Sequence, residues 1–444
     1  FNSSGYLTPL TLLTRSLRFR SSASAYLNRT FGASSGTTAT FSAWVKRGTL
    51  GSVGTIFGTT DGSTYDFQIT FTAANVIEFY GFRSSAQVFD LITTQVFRDP
   101  AAWYHIVAVV NTPNATSTNR VQLYVNGTQI TSFSTSSYPS QNAVTPLADS
   151  RIFGIGDRGN ANNNFFDGYM AEVNFVDGQA LAPTSFGTVN SYGVWQPITY
   201  GGSYGTNGFR LPFTNNASTT TLGYDFSPQG NNWTTNNISV TAGSTYDSMT
   251  DVPTLTSATA ANFNTLNPVA PGTGTISNAN LTSTSTTTTV YSFAGTTLIT
   301  TGKWYWEVTA TTINSANQYP FIGAYTVPIP NSLTGAVRPG ADTGIGGFSL
   351  RQNGNFYYNG NTSATITTSF TTGDVIGFAF DADAQSVTLY KNNTSIGTQG
   401  SLGAGPWVTA ISEYNGSLSN HNFGQRPFSY TPPTGYLALN TFNL

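Results

Sequence analysis

Cysteine is missing from these 444 residues, and histidine and methionine occur only twice each. Without cysteine there is neither a disulfide framework nor a thiolate metal site, which suits folding in a reducing cytoplasm. Two histidines, His105 and His421, cannot assemble a multi-histidine metal centre. Charge is scarce as well, at 8% of residues, where an ordinary soluble domain carries about 25%. The 17 Lys and Arg against 19 Asp and Glu leave a net charge of −2. No basic stripe is available to neutralise phosphates, which argues against nucleic acid as a partner. No apolar run approaches the roughly 18 residues that span a bilayer, so membrane insertion is not expected.

Carboxylates are too thinly spread for the usual hydrolytic pattern. Glutamate occurs only at Glu78, Glu172, Glu307 and Glu413, and none has an acid two residues away. A glycosidase needs two carboxyl groups facing one sugar. The one such pair, Asp381 and Asp383, falls in a predicted hairpin turn, where carboxylates cap backbone N–H groups. Glu172 reads as a hydrogen-bonded structural carboxylate on a strand shared with Met170 and Val176. His105 reads as a packed imidazole in a strand with Val107 and Val109, and His421 as a loop residue. No nucleophile-elbow pattern supports a Ser-His-Asp site. No catalytic residue is assigned, and the chain reads as a non-enzyme.

What is present points to strands. Thr, Ser and Asn abound, with 45 Gly, 23 Tyr and 31 Phe, and aromatic residues make up 14% of the chain. Disordered chains lack aromatics, whereas β-branched and aromatic residues favour strands, and Gly and Asn supply turns. Val121, Leu123 and Val125 alternate on one face before Asn126-Gly127, a hairpin signal. Trp304, Trp306 and Val308 alternate with Tyr305, Glu307 and Thr309, a strand with one heavy core face. Trp44 is likewise expected in the core. Helical periodicity over ten residues is absent.

The chain also resembles itself. Tyr104–Val110 leads through a polar stretch into Leu123-Tyr-Val-Asn, and Val375–Phe380 leads through Asp381-Ala-Asp383 into Leu389-Tyr-Lys-Asn. The length and this echo suit an all-β chain of two antiparallel β-sandwiches in tandem. The expected layout is an N-terminal arm at 1–15, a first sandwich at 16–200 and a second at 255–429. A Gly/Asn/Thr-rich connector with some strands, 201–254, joins them, its early part closing the first sandwich, and a C-terminal tail follows at 430–444. The low-complexity run Ser283–Thr289 is expected at an exposed edge or loop. The tail's apolar end is expected to dock on this chain or a neighbour.

Ser16-Leu-Arg-Phe19, Phe41-Ser-Ala-Trp-Val45, Trp103-Tyr-His-Ile-Val107, Leu123-Tyr-Val-Asn-Gly127 and Phe166–Val173 follow in the order of a laminin-G-like, concanavalin-type sandwich, which the first half resembles. Gly302-Lys-Trp-Tyr-Trp-Glu-Val308, Ile322-Gly323, Gly373–Gly377 and Val387–Asn392 give the second half a resemblance to the SPRY sandwich. The combination, with Phe166–Leu181, Asn422–Phe428 and Thr431–Gly435, resembles a group of phage virion proteins that join these modules. That resemblance implies a structural virion component, a tail fibre or other surface appendage, assembled in the cytoplasm of a bacterial host. It implies host-surface glycans, other virion proteins and further copies of itself as partners. A capsid-decoration or filament subunit without receptor binding is the architectural alternative, and a polysaccharide-degrading enzyme the remote one.

Candidate binding residues are Tyr357, Tyr358 and Tyr414, which lie beside Gly/Asn turns where aromatic rings meet sugars or proteins. Gly154-Ile-Gly-Asp-Arg-Gly159 matches a dinucleotide fingerprint, but Asn160 onward makes a poor helix start. The same loop, with Asp157 and Asp167, is the weak candidate for Ca²⁺, which takes six to eight oxygen ligands. Loop hydrogen bonding is the preferred reading, and no cofactor is assigned.

Overall fold

The computed structural model describes residues 11–161, 163–269, 274–335 and 337–444. These form two compact units, one of residues up to 240 together with 247–256, the other of 241–246 and 257–444. Each is built of stacked antiparallel sheets, as the alternating patterns require.

In the first unit one sheet runs Thr128–Gln129, Val121–Val125, Trp103–Asn111, Thr38–Arg47, Gly168–Asp177, Ser16–Phe19, Ser248–Met249, with Phe209–Leu211 also paired to Gly168–Asp177. The second runs Phe133–Ser137, Ala86–Thr93, Ile77–Arg83, Tyr65–Phe71, Gly54–Thr60, Ile152–Ile155, Tyr26–Thr30, Thr234–Asn236. Phenylalanines fill the space between them: Phe41 of the first sheet stacks on Phe57 of the second at 4.9 Å. Asn126 and Gly127 both take positive φ (50° and 79°), the two-residue turn that the Asn-Gly pair signals. Glu172 also has positive φ (47°), at a bulge where the register against Thr38–Arg47 shifts, so the face alternation expected around Met170 and Val176 is broken there.

In the second unit an eight-stranded sheet runs Thr275–Ser277, Thr282–Ser285, Ser417–Asn422, Lys303–Thr312, Val375–Asp381, Ser386–Lys391, Thr394–Gln399. Leu437–Ala438 adds a short parallel pairing to Trp304 and Tyr305. The facing six-stranded sheet runs Tyr291–Ala294, Trp407–Glu413, Phe321–Thr326, Gly347–Arg351, Phe356–Tyr358, Asn361–Thr362. Phe380 joins the layers, 5.4 Å from Phe348 and 5.1 Å from Trp407.

Several expectations are corrected by these contacts. The stretch 201–254 is largely built into the first unit: Phe209, Leu211, Phe213, Leu222, Trp233 and Ile238 all join its core. Strands occur there as expected, at Phe209–Leu211, Thr234–Asn236 and Ser248–Met249, and their pairing makes them part of the first unit's sheets rather than of a link. Ser283 and Ser285 are buried in an interior strand, because their hydroxyls find polar partners within the unit; Thr286–Thr288 are the exposed part. Tyr305 and Glu307 are buried as well as the tryptophans beside them. Phe428 packs on Tyr305 at 5.0 Å, and Glu307 accepts the backbone N–H groups of Ser429 and Tyr430 at 2.8 and 2.9 Å, which pins the start of the tail. The only α-helix among the described residues is Thr219–Leu222, capped by Ser218.

Candidate functional site

Alternation on the six-stranded sheet of the second unit decides which side chains face its core. Ile322, Leu350, Phe356 and Ile411 point inward and are fully buried. Phe321, Arg351, Tyr357 and Ser412 occupy the opposite face, with Phe321 paired to both Arg351 and Ser412. Along this outer face the rings form a ledge. Tyr414 stacks on Tyr319 at 5.2 Å, Tyr319 meets Phe321 at 5.0 Å, and Phe321 stacks on Tyr357 at 5.9 Å. Two guanidinium groups lie over the Phe321 ring, Arg338 at 5.2 Å and Arg351 at 5.1 Å, a cation–π geometry. Tyr319 and Phe321 are buried, whereas Tyr357, Tyr414 and both arginines are partly exposed.

Residues 327–335 and 337–346 cover the neighbouring part of the same face. The Tyr325 hydroxyl and the Ser349 hydroxyl donate to the carbonyls of Val337 and Pro339. Arg338 and Asp342, four residues apart, form an ion pair there, and those hydrogen bonds raise the Arg338 pKa. Burial raises the Tyr319 pKa. Of the tyrosines singled out by sequence, the fold brings Tyr357 and Tyr414 onto one ledge. Tyr358 is turned to the other face by the two-residue period, opposite Phe348. Tyr319, Phe321, Arg338 and Arg351 were not singled out. They lie on different strands and a loop, and no spacing links them.

A second polar face belongs to the first unit. Asp66, Glu78 and Asp90 come from three neighbouring strands, with Tyr80 paired to both Gln68 and Asp90. Gln68 donates to Glu78 at 3.2 Å, and Arg158 pairs with Asp66. Burial raises the pKa of all three carboxyl groups, and Asp90 and Asp66 raise that of Glu78 further. A search for acids two apart on one strand misses this arrangement, because the sheet gathers one acid per strand.

The remaining candidates are tied into structure. Asp167 accepts from Ser21 N and Oγ at 3.3 and 3.1 Å and from Thr49 N at 3.3 Å. Asp157 accepts from Gly159 N at 2.9 Å, and burial pushes its carboxyl up to about 7. No group of three or more His, Asp or Glu able to hold a metal occurs among the described residues. The Gly154–Gly159 turn leads into a three-residue 3-10 turn, Gly159–Ala161, so it lacks the helix that phosphate binding needs. Asp381 and Asp383 accept from Ala384 N at 2.9 Å and Gly302 N at 3.1 Å, as turn carboxylates do. Glu172 is held by Arg210, at 2.5 and 3.1 Å.

Both imidazoles are buried and neutral. His105 Nδ1 accepts the Trp195 indole N–H at 2.9 Å, so Nε2 carries the proton and donates to Ser42 Oγ at 2.8 Å. His421 is not a loop residue: it lies in Ser417–Asn422, 3.1 Å from Ser283 Oγ, which also donates to Glu413 at 2.9 Å. Burial lowers both histidines to about 3 and pushes Glu413 up to about 7. The serine sits between the acid and the imidazole, and all three are sealed in the core, so the trio holds strands together rather than meeting a substrate.

Residues 21–185 match the family model of the concanavalin A-like lectin/glucanases superfamily, and residues 303–426 match that of the SPRY domain. No curated protein matches the chain. Among solved structures it is similar to the SPRY domain of human HERC1, with 18% identity over 37% of this chain and 99% of that one, at a TM-score of 0.32. The TRIM65 PSpry domain gives 15% identity, 36% and 89% coverage and a TM-score of 0.29. A candidate carbohydrate-binding protein from Bacteroides ovatus ATCC 8483 gives 18% identity, 51% and 59% coverage and a TM-score of 0.37. The chain therefore carries a concanavalin-like domain and a SPRY domain.

Proposed function

We propose that this chain, a concanavalin-like sandwich joined to a SPRY sandwich, is a non-enzymatic recognition and building protein of a bacteriophage particle, in a tail fibre or other surface appendage. The observation that carries the recognition role is the ledge of Tyr414, Tyr319, Phe321 and Tyr357, two of whose rings are partly exposed. Tyrosine offers a sugar both a ring face and a hydroxyl, and its two torsions make ordering cheap. Host-surface glycan is the ligand this chemistry suits. The particle context rests on the order of the two modules and on the sequence resemblance, together with a surface kept soluble by amides and hydroxyls rather than charge. Copies arrayed on a particle would raise avidity by about 10²–10⁴ over a single weak site.

Tyr357→Ala and Tyr414→Ala are each expected to weaken binding to host cells or their purified polysaccharide roughly tenfold, with the fold intact by circular dichroism. Host binding that is unchanged in both variants would remove the ledge from the recognition role. The enzyme alternative draws on one observation, the raised carboxyl groups of Glu78 and Asp90 on one face. Sugar release abolished by Glu78→Gln would make that face an active site.

A further inference from the structure

Among the cations of the ledge, Arg338 is committed and Arg351 is not. Arg338 donates through Nε and Nη2 to Asp342 and to no other acid among the described residues. Arg351 forms no ion pair among the described residues. Its guanidinium makes one hydrogen bond, from Nη2 to the carbonyl of Asn317 at 3.3 Å, and its Nε has no partner. Ten Lys or Arg side chains among the described residues are each paired to an acid, and Arg351 is not one of them. Phe321, beneath the guanidinium, orients it but supplies no negative charge.

The surroundings describe the missing partner. Arg351 stands on the strand next to Tyr357, diagonal to it, since Ser349 is the residue directly opposite that tyrosine. The Asn355 amide donates to the Tyr357 hydroxyl at 3.3 Å, and the Asn353 amide donates to Gln318 at 2.8 Å. Cation, ring, hydroxyl and amides thus lie together at the turn that joins the strands Gly347–Arg351 and Phe356–Tyr358. Two guanidiniums against one carboxylate leave the ledge one positive charge, which fits a monoanion better than a dianion.

Building on the glycan reading of the ledge, we propose that Arg351 selects an acidic sugar, holding a uronate-type carboxylate in its planar fork while the sugar ring lies against Tyr357. The fork matches a carboxylate geometrically, and removing one such charge-assisted contact lowers affinity by roughly tenfold to a hundredfold. A sugar that lacks the carboxylate keeps only the ring contact.

The test measures binding of the full chain to uronate oligosaccharides as free acids and as methyl esters, by calorimetry at low and at physiological salt, beside neutral oligosaccharides of equal length. The expected result is binding of the acid, at least tenfold weaker binding of the ester, and loss of that difference in Arg351→Gln. Equal binding of acid and ester overturns the acidic-sugar inference and leaves glycan recognition standing, as does binding of neutral sugars alone. Binding of no sugar of either kind overturns both. The ester comparison uses the unaltered protein, so it decides the matter even where Arg351→Gln fails to fold.

Discussion

Asp247→Ala is expected to destabilise the first unit by about 3–5 kcal/mol, because it strips a shared carboxylate from buried cations. Asp247 is fully buried and accepts from Arg18 Nε at 3.0 Å, from Arg20 Nε at 2.9 Å and Nη2 at 3.0 Å, and from Ser239 N at 2.8 Å. Arg18 is itself fully buried, so the substitution leaves a guanidinium in the interior without the anion that offsets its desolvation. The same residue ties the strand Ser16–Phe19 to the returning segment 247–256 through Arg18 N and the Asp247 carbonyl at 2.8 Å. Asp251 plays a parallel part for Lys46, at 2.8 Å, and for the Trp103 indole, at 3.1 Å. For a unit of this size the loss corresponds to a fall in Tm on the order of 10 °C. Asp247→Asn, which keeps an acceptor but not the charge, is expected to fall between. A calorimetric Tm within about 2 °C of the wild type for the alanine variant would mean that this cluster does not hold the segment.

The second large effect is on pH dependence. Glu413 is fully buried, accepts from Ser283 and Ser417, and has its carboxyl raised to about 7 by burial. A folded pKa above the unfolded value means that the native state binds the proton more tightly. The resulting stabilisation is complete below about pH 4.5 and is lost as pH rises through about 7. Relative to Glu413→Gln, the wild type should therefore lose about 3 kcal/mol between pH 4.5 and pH 8. His421 titrates in the opposite sense, its pKa lowered to about 3, so its stabilisation is lost as pH falls from about 6.5. That contribution is common to both proteins and cancels in the comparison. Urea unfolding of the pair at the two pH values checks this, and a difference that does not change with pH would place Glu413 in contact with water.

Sequence reading captured local matters well and gathered ones poorly. The Asn126-Gly127 turn, the absence of long helices among the described residues and the buried Trp44, Trp304 and Trp306 follow from short stretches of sequence. The concanavalin-like and SPRY sandwiches were legible through the order of short motifs. Strand-like pieces of 201–254 such as Phe209–Leu211 were legible too, but how far the later residues, Trp233 and Ile238 among them, join the core of the first unit was not. Nor was the burial of Glu307, which depends on backbone donors more than 100 residues away. The ledge lay between these extremes. Tyr357 and Tyr414 were visible beside turns, but the arginines that give the ledge its charge arrive from a separate strand and a separate loop.

The most direct measurement incubates the intact chain with purified host-surface polysaccharide and follows both the bound fraction and the polymer's size. Recognition without turnover predicts saturable binding that Tyr357→Ala weakens, with the polymer's length unchanged after prolonged contact. Shortening of the polymer, or the absence of any binding, would contradict the account.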